Sequence, residues 1–198
     1  MPLRQPNKRE PAEYRNLVWY NISMSSNTNH VPQGWISGGS NPSDYELAID
    51  TETFHTKSPS GIVKSTKNDP SGFATLMQEF KAKKYLGKRM RLKAFIKTKN
   101  VDDWAGLWMR VDGAGHEVLG FDNMKNRSLK GTNDWKQYEI VLDVPKESKL
   151  IAFGVLLSGN GHVWIDDIVF EEVTKAVEST NMEIPLPSSP TNLNFQSN

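Results

Sequence analysis

The chain has 198 residues, with 24 Lys plus Arg against 23 Asp plus Glu and a formal net charge of +1. A balance this even gives no bulk attraction to nucleic acid or to an anionic membrane surface. There is no cysteine, which rules out a disulfide framework and thiol chemistry and fits a cytosolic location. No apolar run approaches the ~18 residues of a membrane span. The charged N-terminus, MPLRQPNKREPAEYRN, lacks the apolar stretch of a secretory signal.

In chain order, residues 1–16 are polar and proline-bearing and read as a flexible arm. Residues 17–173 read as one domain. Leu17–Ile22 is a first strand, followed by a Ser/Asn/Pro/Gly loop to Gly34 and a short run at Trp35–Ser37. After the turn cluster Gly38–Asp44, three more strands are predicted, at Tyr45–Asp50, Ser60–Thr66 and Gly72–Phe80. Lys81–Leu86 has room for one helical turn. Then come Arg89–Lys99, Trp104–Val111 and Glu117–Phe121, separated by turn residues at Asn100–Asp103 and Asp112–Gly115. Asp122–Asp134 reads as a long polar connection. Trp135–Val144 is a strand that Pro145 stops, because proline cannot continue a ladder. Leu150–Leu157 is almost wholly apolar, as a strand buried on both faces should be. Ser158–Gly161 reads as a tight hairpin turn into His162–Glu172. Residues 174–198 hold three prolines and many polar residues and read as a disordered tail.

Many short strands with turns between them predict an all-β antiparallel sandwich, with a jelly roll as the expected form. Side chains alternate across a strand. Met90, Leu92, Ala94 and Ile96 should therefore face Ala105, Leu107, Met109 and Val111 across the core. The opposite face of the middle strand carries Trp104, Gly106, Trp108 and Arg110. It is either a second apolar layer or the floor of a binding groove. As a groove, two Trp about 13 Å apart would stack on sugar rings. Arg110 would add a fork of donors. Phe95 would extend the face on the neighbouring strand, with Asp122 and Asn123 as polar anchors. As a layer, the same aromatics would pack beneath loops Gly38–Asp44 and Asn123–Asp134.

The runs KRMRLKAFIKT, TNDWKQYEIVLDVP and IAFGVLLSGNGHVWIDDIVFEE resemble the body of a carbohydrate-binding-like module with a galactose-binding-like jelly roll. The likeness covers roughly Gly34 to Glu172. SGGSNPSDYELAID, WAGLWMRVDG and FDNM resemble a bacterial subgroup associated with transcriptional regulators of the arabinose-regulator type. The resemblance implies a glycan on the concave sheet or at the loops. It also implies a structural Ca2+ held by Asp166 and Asp167 with partners near the first strand, where LVWYNISMSS supplies no carboxylate. From the residues alone, an acidic pair interrupting an apolar strand needs either a cation or hydrogen-bond donors.

Catalytic signatures are sparse. Histidines 30, 55, 116 and 162 have no metal-ligand spacing, and no GxSxG, P-loop or dinucleotide fingerprint occurs. Asp112 and Asp122 are the carboxylates to test for a glycoside-acting enzyme, against a plain role as turn caps. Trp35 and Trp164 read as packing residues, and Trp135 marks a strand entry. Lys81, Lys83, Lys84, Lys88, Arg89 and Arg91 read as charges guarding a strand edge rather than a nucleic-acid site. The leading expectation is a non-catalytic module that binds a carbohydrate or small polar ligand, as the sensing part of a regulator. The runner-up is a structural or protein-interaction domain, or a dimer, using the Trp face. The third is an enzyme.

Overall fold

A computed structural model describes residues 31–182 and residue 193. The expected arm 1–16 and first strand Leu17–Ile22 lie outside the described residues, as does most of the expected tail. The described chain holds β1 (Ile36–Gly39), β2 (Tyr45–Asp50), β3 (Ser60–Ser65), β4 (Phe73–Lys81), β5 (Arg89–Asp112), β6 (Val118–Asp122), β7 (Leu129–Asp143), β8 (Leu150–Ser158) and β9 (His162–Val173). Every pairing is antiparallel. Helix among the described residues is confined to four short 3-10 turns. One of them, Ala82–Lys84, stands where a helical turn was expected.

β5 organises the molecule. Asn100–Asp103 reads as a turn in the sequence, yet the chain runs on as one strand of 24 residues. Val101 is the reason at the centre: it is 3% exposed and belongs to the core. The turn-forming residues around it serve other ends. Asn100 takes φ 53, a left-handed bend that Asn tolerates. Asp102 accepts from the Asn160 amide N–H at 2.7 Å, and Asp103 accepts from the Ser158 hydroxyl at 2.6 Å. The strand thus bends between two layers. Its first half pairs with β7 and β9, and its second half with β6 and β8.

One layer is therefore β1-β4-β8-β5-β6 and the other β2-β3-β9-β5-β7. Their facing sides make the core, which holds Met90, Leu92, Ala94 and Ile96 with Ala105, Leu107, Met109 and Val111, as the alternation predicts. β8 lies between β4 and β5, and its residues from Ile151 to Leu157 are buried, as its apolar run requires. Its odd residues face the core. Ala152 and Leu156 join a second cluster on the outer side.

Two further expectations change. β8 and β9 do not form a hairpin, because they pair in different layers. The Ser158–Gly161 link crosses over β5 instead. Gly161 takes φ 126 there, and a Cβ would stand 2.7 Å from the Val101 Cα. β7 also begins at Leu129, within the expected polar connection. Leu129 is buried and pairs with Ala105, which extends the ladder back beyond Trp135, the first residue of the expected strand.

Residues 174–182 form a strap over the β6/β7 side of the sandwich. The Thr180 N–H donates to Val141 O at 2.8 Å on β7, and the Met182 N–H to Phe121 O at 2.7 Å on β6. The Asn181 side chain accepts from the Phe121 N–H at 2.9 Å. Polar residues suit this role, because the strap's own backbone and side chains supply the ladder partners that two edge strands lack.

Arg89 pins the strap. Its guanidinium donates to the carbonyls of Lys175 and Val177 and, bidentately, to Asp143 at 2.8 Å. The Arg89 hydrogen bond, aided by Lys175 and against the effect of burial, holds the Asp143 carboxyl down at about 2. Its unfolded value is about 3.9. A depressed carboxyl stabilises the fold above the unfolded value, and that stability is lost as pH falls from about 4 to about 2. Asp143 is 42% exposed, so solvent screening reduces the effect. Asp143→Asn is expected to cost about 1 kcal/mol near neutral pH and almost nothing near pH ~2. Urea denaturation at both pH values checks this. An equal loss at both would show that the ion pair contributes nothing.

Candidate functional site

The outer side of the β4–β8–β5 layer decides between the two readings of the Trp face, and it is a packed layer. Trp108 is 0% exposed and clusters with Phe73, Met77, Ala152 and Leu156. Its indole N–H donates to Thr75 Oγ1 at 2.7 Å, and that hydroxyl donates to Val155 O at 2.9 Å. Trp104 is half-buried against the same cluster. Between the two Trp, Gly106 leaves room for the chain beyond β6. A Cβ at 106 would lie 3.1 Å from Asn123 O and 3.2 Å from Met124 Cβ. The row Trp104–Gly106–Trp108 is thus no open sugar platform, because the following loop occupies the gap, as the packing alternative anticipates.

The polar anchors expected beside these Trp are also taken. Asp122 is 0% exposed. Its carboxylate accepts from the Met124 N–H at 2.8 Å and bidentately from Arg127 at 3.0 and 2.6 Å. Asn123 is 7% exposed and caps the turn by accepting from the Lys125 N–H. Arg110 donates through Nε to Asp112 at 3.0 Å, and Asp112 is 1% exposed. These four side chains hold the 122–128 loop and the end of β5. Buried under arginine, Asp112 and Asp122 are out of a substrate's reach, which removes them as a catalytic pair.

The remaining expected site residues, Phe95, Asp166 and Asp167, meet on the other layer. β9 carries a bulge here. Lys93 pairs with Val169 but Phe95 with Asp166, so β9 has one residue more than β5. Asp167 takes φ 47, a conformation that short polar side chains tolerate. The interruption IDDI in an apolar strand is the signature of this bulge. The Thr51–Pro59 loop between β2 and β3 folds onto it. The His55 N–H donates to Asp166 Oδ2 at 2.7 Å, and His55 Nδ1 to Asp167 Oδ2 at 2.7 Å. A carboxylate only accepts, so Nδ1 carries the proton. The Thr56 hydroxyl lies 2.8 and 2.7 Å from the two Asp167 oxygens. The His55 ring stacks on Phe95 with centroids 3.7 Å apart and lies 5.8 Å from Trp135.

The His55 hydrogen bond, then that of Thr56, holds the Asp167 carboxyl below its ordinary value. Asp166 Oδ1 accepts from the Asp167 N–H at 2.7 Å. Every oxygen of the acidic pair therefore has a protein donor. Among the described residues no three acidic or histidine side chains converge as metal ligands. Calcium asks for six to eight oxygens. The described residues form a loop anchor, and the first-strand partners implied for a calcium lie outside them.

Beside the bulge lies a groove of about 270 Å³. Pro32, Trp35 and Leu76 form one wall, and Ile49, Pro59 and Ile168 the other. Ser60, Asp166 and Asp167 supply its polar end. It opens between the layers on the β1/β2 side, across the molecule from the strap. Trp35 packs edge-on against Phe153, with centroids 6.1 Å apart, so the packing role expected of it holds while its free side lines the groove. At the base, a Cβ on Gly61 would meet Leu76 Cδ2 at 2.8 Å, so the Leu76 side chain would have to shift. Trp164, expected as a packing residue, is 5% exposed and donates through Nε1 to Asp50 at 2.7 Å. Sequence reasoning overlooked Ile49, His55, Thr56, Pro59 and Gly61 as site residues. They come from a loop and strand ends with no local pattern, and only the bulge draws them together.

No family model matches the chain. An uncharacterized HTH-type transcriptional regulator of Bacillus subtilis (strain 168), YbfP, is 54% identical over 167 residues, which make up 83% of this chain and 57% of the regulator. The chain thus spans little more than half the length of that relative. Among solved structures, the enzymatically active domain of a bacteriophage CBA120 tailspike protein has a TM-score of 0.55 at 13% identity, over 78% of this chain and 22% of that one. The CBM22-1 xylan-binding domain of a Paenibacillus barcinonensis protein has a TM-score of 0.51 at 11% identity, over 77% and 94%. A Clostridium thermocellum xylanase fragment with its CBM22-1 module, complexed with xylohexaose, has a TM-score of 0.51 at 15% identity, over 73% and 27%. Identities this low establish the fold alone. The chain has the galactose-binding-like jelly-roll fold of carbohydrate-binding modules, and by sequence it is similar to a bacterial transcriptional regulator, as its motifs imply.

Proposed function

We propose that this domain is a non-catalytic binding module for a carbohydrate or similar small polar ligand, and that it is the sensing part of a cytoplasmic transcriptional regulator. The observation that carries the reading is the combination of 54% identity to a transcriptional regulator with the fold of xylan-binding modules. A regulator needs an input, and this fold presents ligands to a rigid sheet scaffold. Sensing requires that the ligand bind one state of the regulator more tightly than the other. Among the described residues no helix is long and apolar enough to cross a membrane.

Intrinsic Trp fluorescence, titrated with neutral mono- and oligosaccharides including xylo-oligosaccharides, tests this. A saturable change with at least one sugar is expected. A flat response across the panel rejects the reading. It would then favour a protein-interaction domain, for which Ile49 (44% exposed), Phe54 (38%) and Val169 (40%) are among the exposed apolar side chains of the described residues. That alternative predicts a mass that rises with concentration, read by sedimentation.

A further inference from the structure

Resting on the carbohydrate reading, we propose that the groove beside the β9 bulge, and not the Trp104–Trp108 face, is the ligand seat. We propose further that it takes a single uncharged sugar ring. The size comes first. About 270 Å³ lies just below the usual range of ligand sites, which run from about 300 to 1,000 Å³. A space of that size suits one monosaccharide ring.

The walls come second. Trp35, Pro32, Pro59 and Ile49 offer flat apolar surface, which matches the C–H faces of a pyranose ring. Trp35 is already fixed by its edge contact with Phe153, so little side-chain entropy is lost on stacking.

The polar end comes third and sets the charge of the ligand. Among the described residues, Ser60, Asp166 and Asp167 are its polar lining, and no lysine or arginine lines the groove. Each carboxylate oxygen already accepts from the protein. It retains lone-pair capacity for a further donor. Sugar hydroxyls supply such donors. The carboxylate of a uronic acid supplies none and would face two like charges. The same contacts tie ligand to loop. His55 and Thr56 grip Asp167 from outside the groove, so a ring held by Asp167 inside is read by the Thr51–Pro59 loop.

The test uses the full chain and two variants. Trp35→Ala removes the stacking wall. Ile49→Ala trims an exposed wall residue (44%) that the fold does not need, and thermal melting confirms that both variants fold. The probes are glucose, galactose, xylose and arabinose, with glucuronic and galacturonic acid as charged partners. The expected result is saturable binding of at least one neutral sugar, weakened about tenfold or more in Trp35→Ala, with weaker binding in Ile49→Ala and little or none of either uronic acid. Neutral sugars that bind both variants with wild-type affinity would overturn this seat while leaving the carbohydrate reading intact. Uronic acids that bind as tightly as their neutral partners would overturn the ligand class. No response to any sugar would overturn both the seat and the reading beneath it.

Discussion

Trp108→Ala is expected to destabilise the domain by about 3–5 kcal/mol, the usual cost of deleting a buried large aromatic. For a chain of this size that corresponds to a fall in Tm of roughly 6–20 °C. The reason is the site's complete burial and its place in the Phe73–Met77–Leu156 cluster, where no solvent can fill the space left behind. Trp108→Phe separates the two parts of this effect. It keeps most of the volume but loses the hydrogen bond from Nε1 to Thr75 Oγ1. The expected cost is about 1 kcal/mol from the bond, plus a smaller packing term. Calorimetry and urea denaturation of both variants check this. If Trp108→Ala melted like the wild type yet lost sugar binding, the indole would belong to a groove and the packed-layer account would fail.

Arg127→Ala should be nearly as damaging, at about 3 kcal/mol, although Arg127 itself is one-third exposed. The loss falls on Asp122, whose side chain is wholly buried and whose carboxylate would keep only the Met124 N–H as a donor. A buried carboxylate stripped of its counter-ion must either stay charged at high cost or take up a proton. Arg127 also donates to Glu139 O, so its removal loosens the 122–128 loop from β7. Adding Asp122→Asn removes the charge that needs the arginine. The double variant is therefore expected to regain part of the loss. A double-mutant cycle by chemical denaturation measures the coupling. Strict additivity would show that the pair is hydrated and structurally idle.

Strand β5 shows where sequence reasoning works and where it stops. Alternation along Arg89–Lys99 and Trp104–Val111 sorts eight side chains into the core, and all eight lie there. The strand's side-chain period is a local property, so it survives any arrangement of neighbours. Which of two faces meets solvent is not local. Trp104, Gly106, Trp108 and Arg110 read equally well as groove and as packing. The decision came from Asn123 and Met124, which close over Gly106 after an intervening strand.

By itself, then, the sequence determined the all-β class, most strand positions, the core face of β5 and the oddity of the acidic pair in β9. Each of these is written in side-chain periodicity, turn chemistry or a polar interruption within a few residues. The tertiary structure alone decided that Asn100–Asp103 is a bend in one strand and that β8 and β9 part into different layers. It also decided that residues 174–182 close one side of the sandwich and that His55 and Thr56 reach Asp167. Those outcomes depend on which buried residues and hydrogen-bonding groups come to face one another across spans of chain from 39 to 112 positions, a spacing that no local pattern encodes.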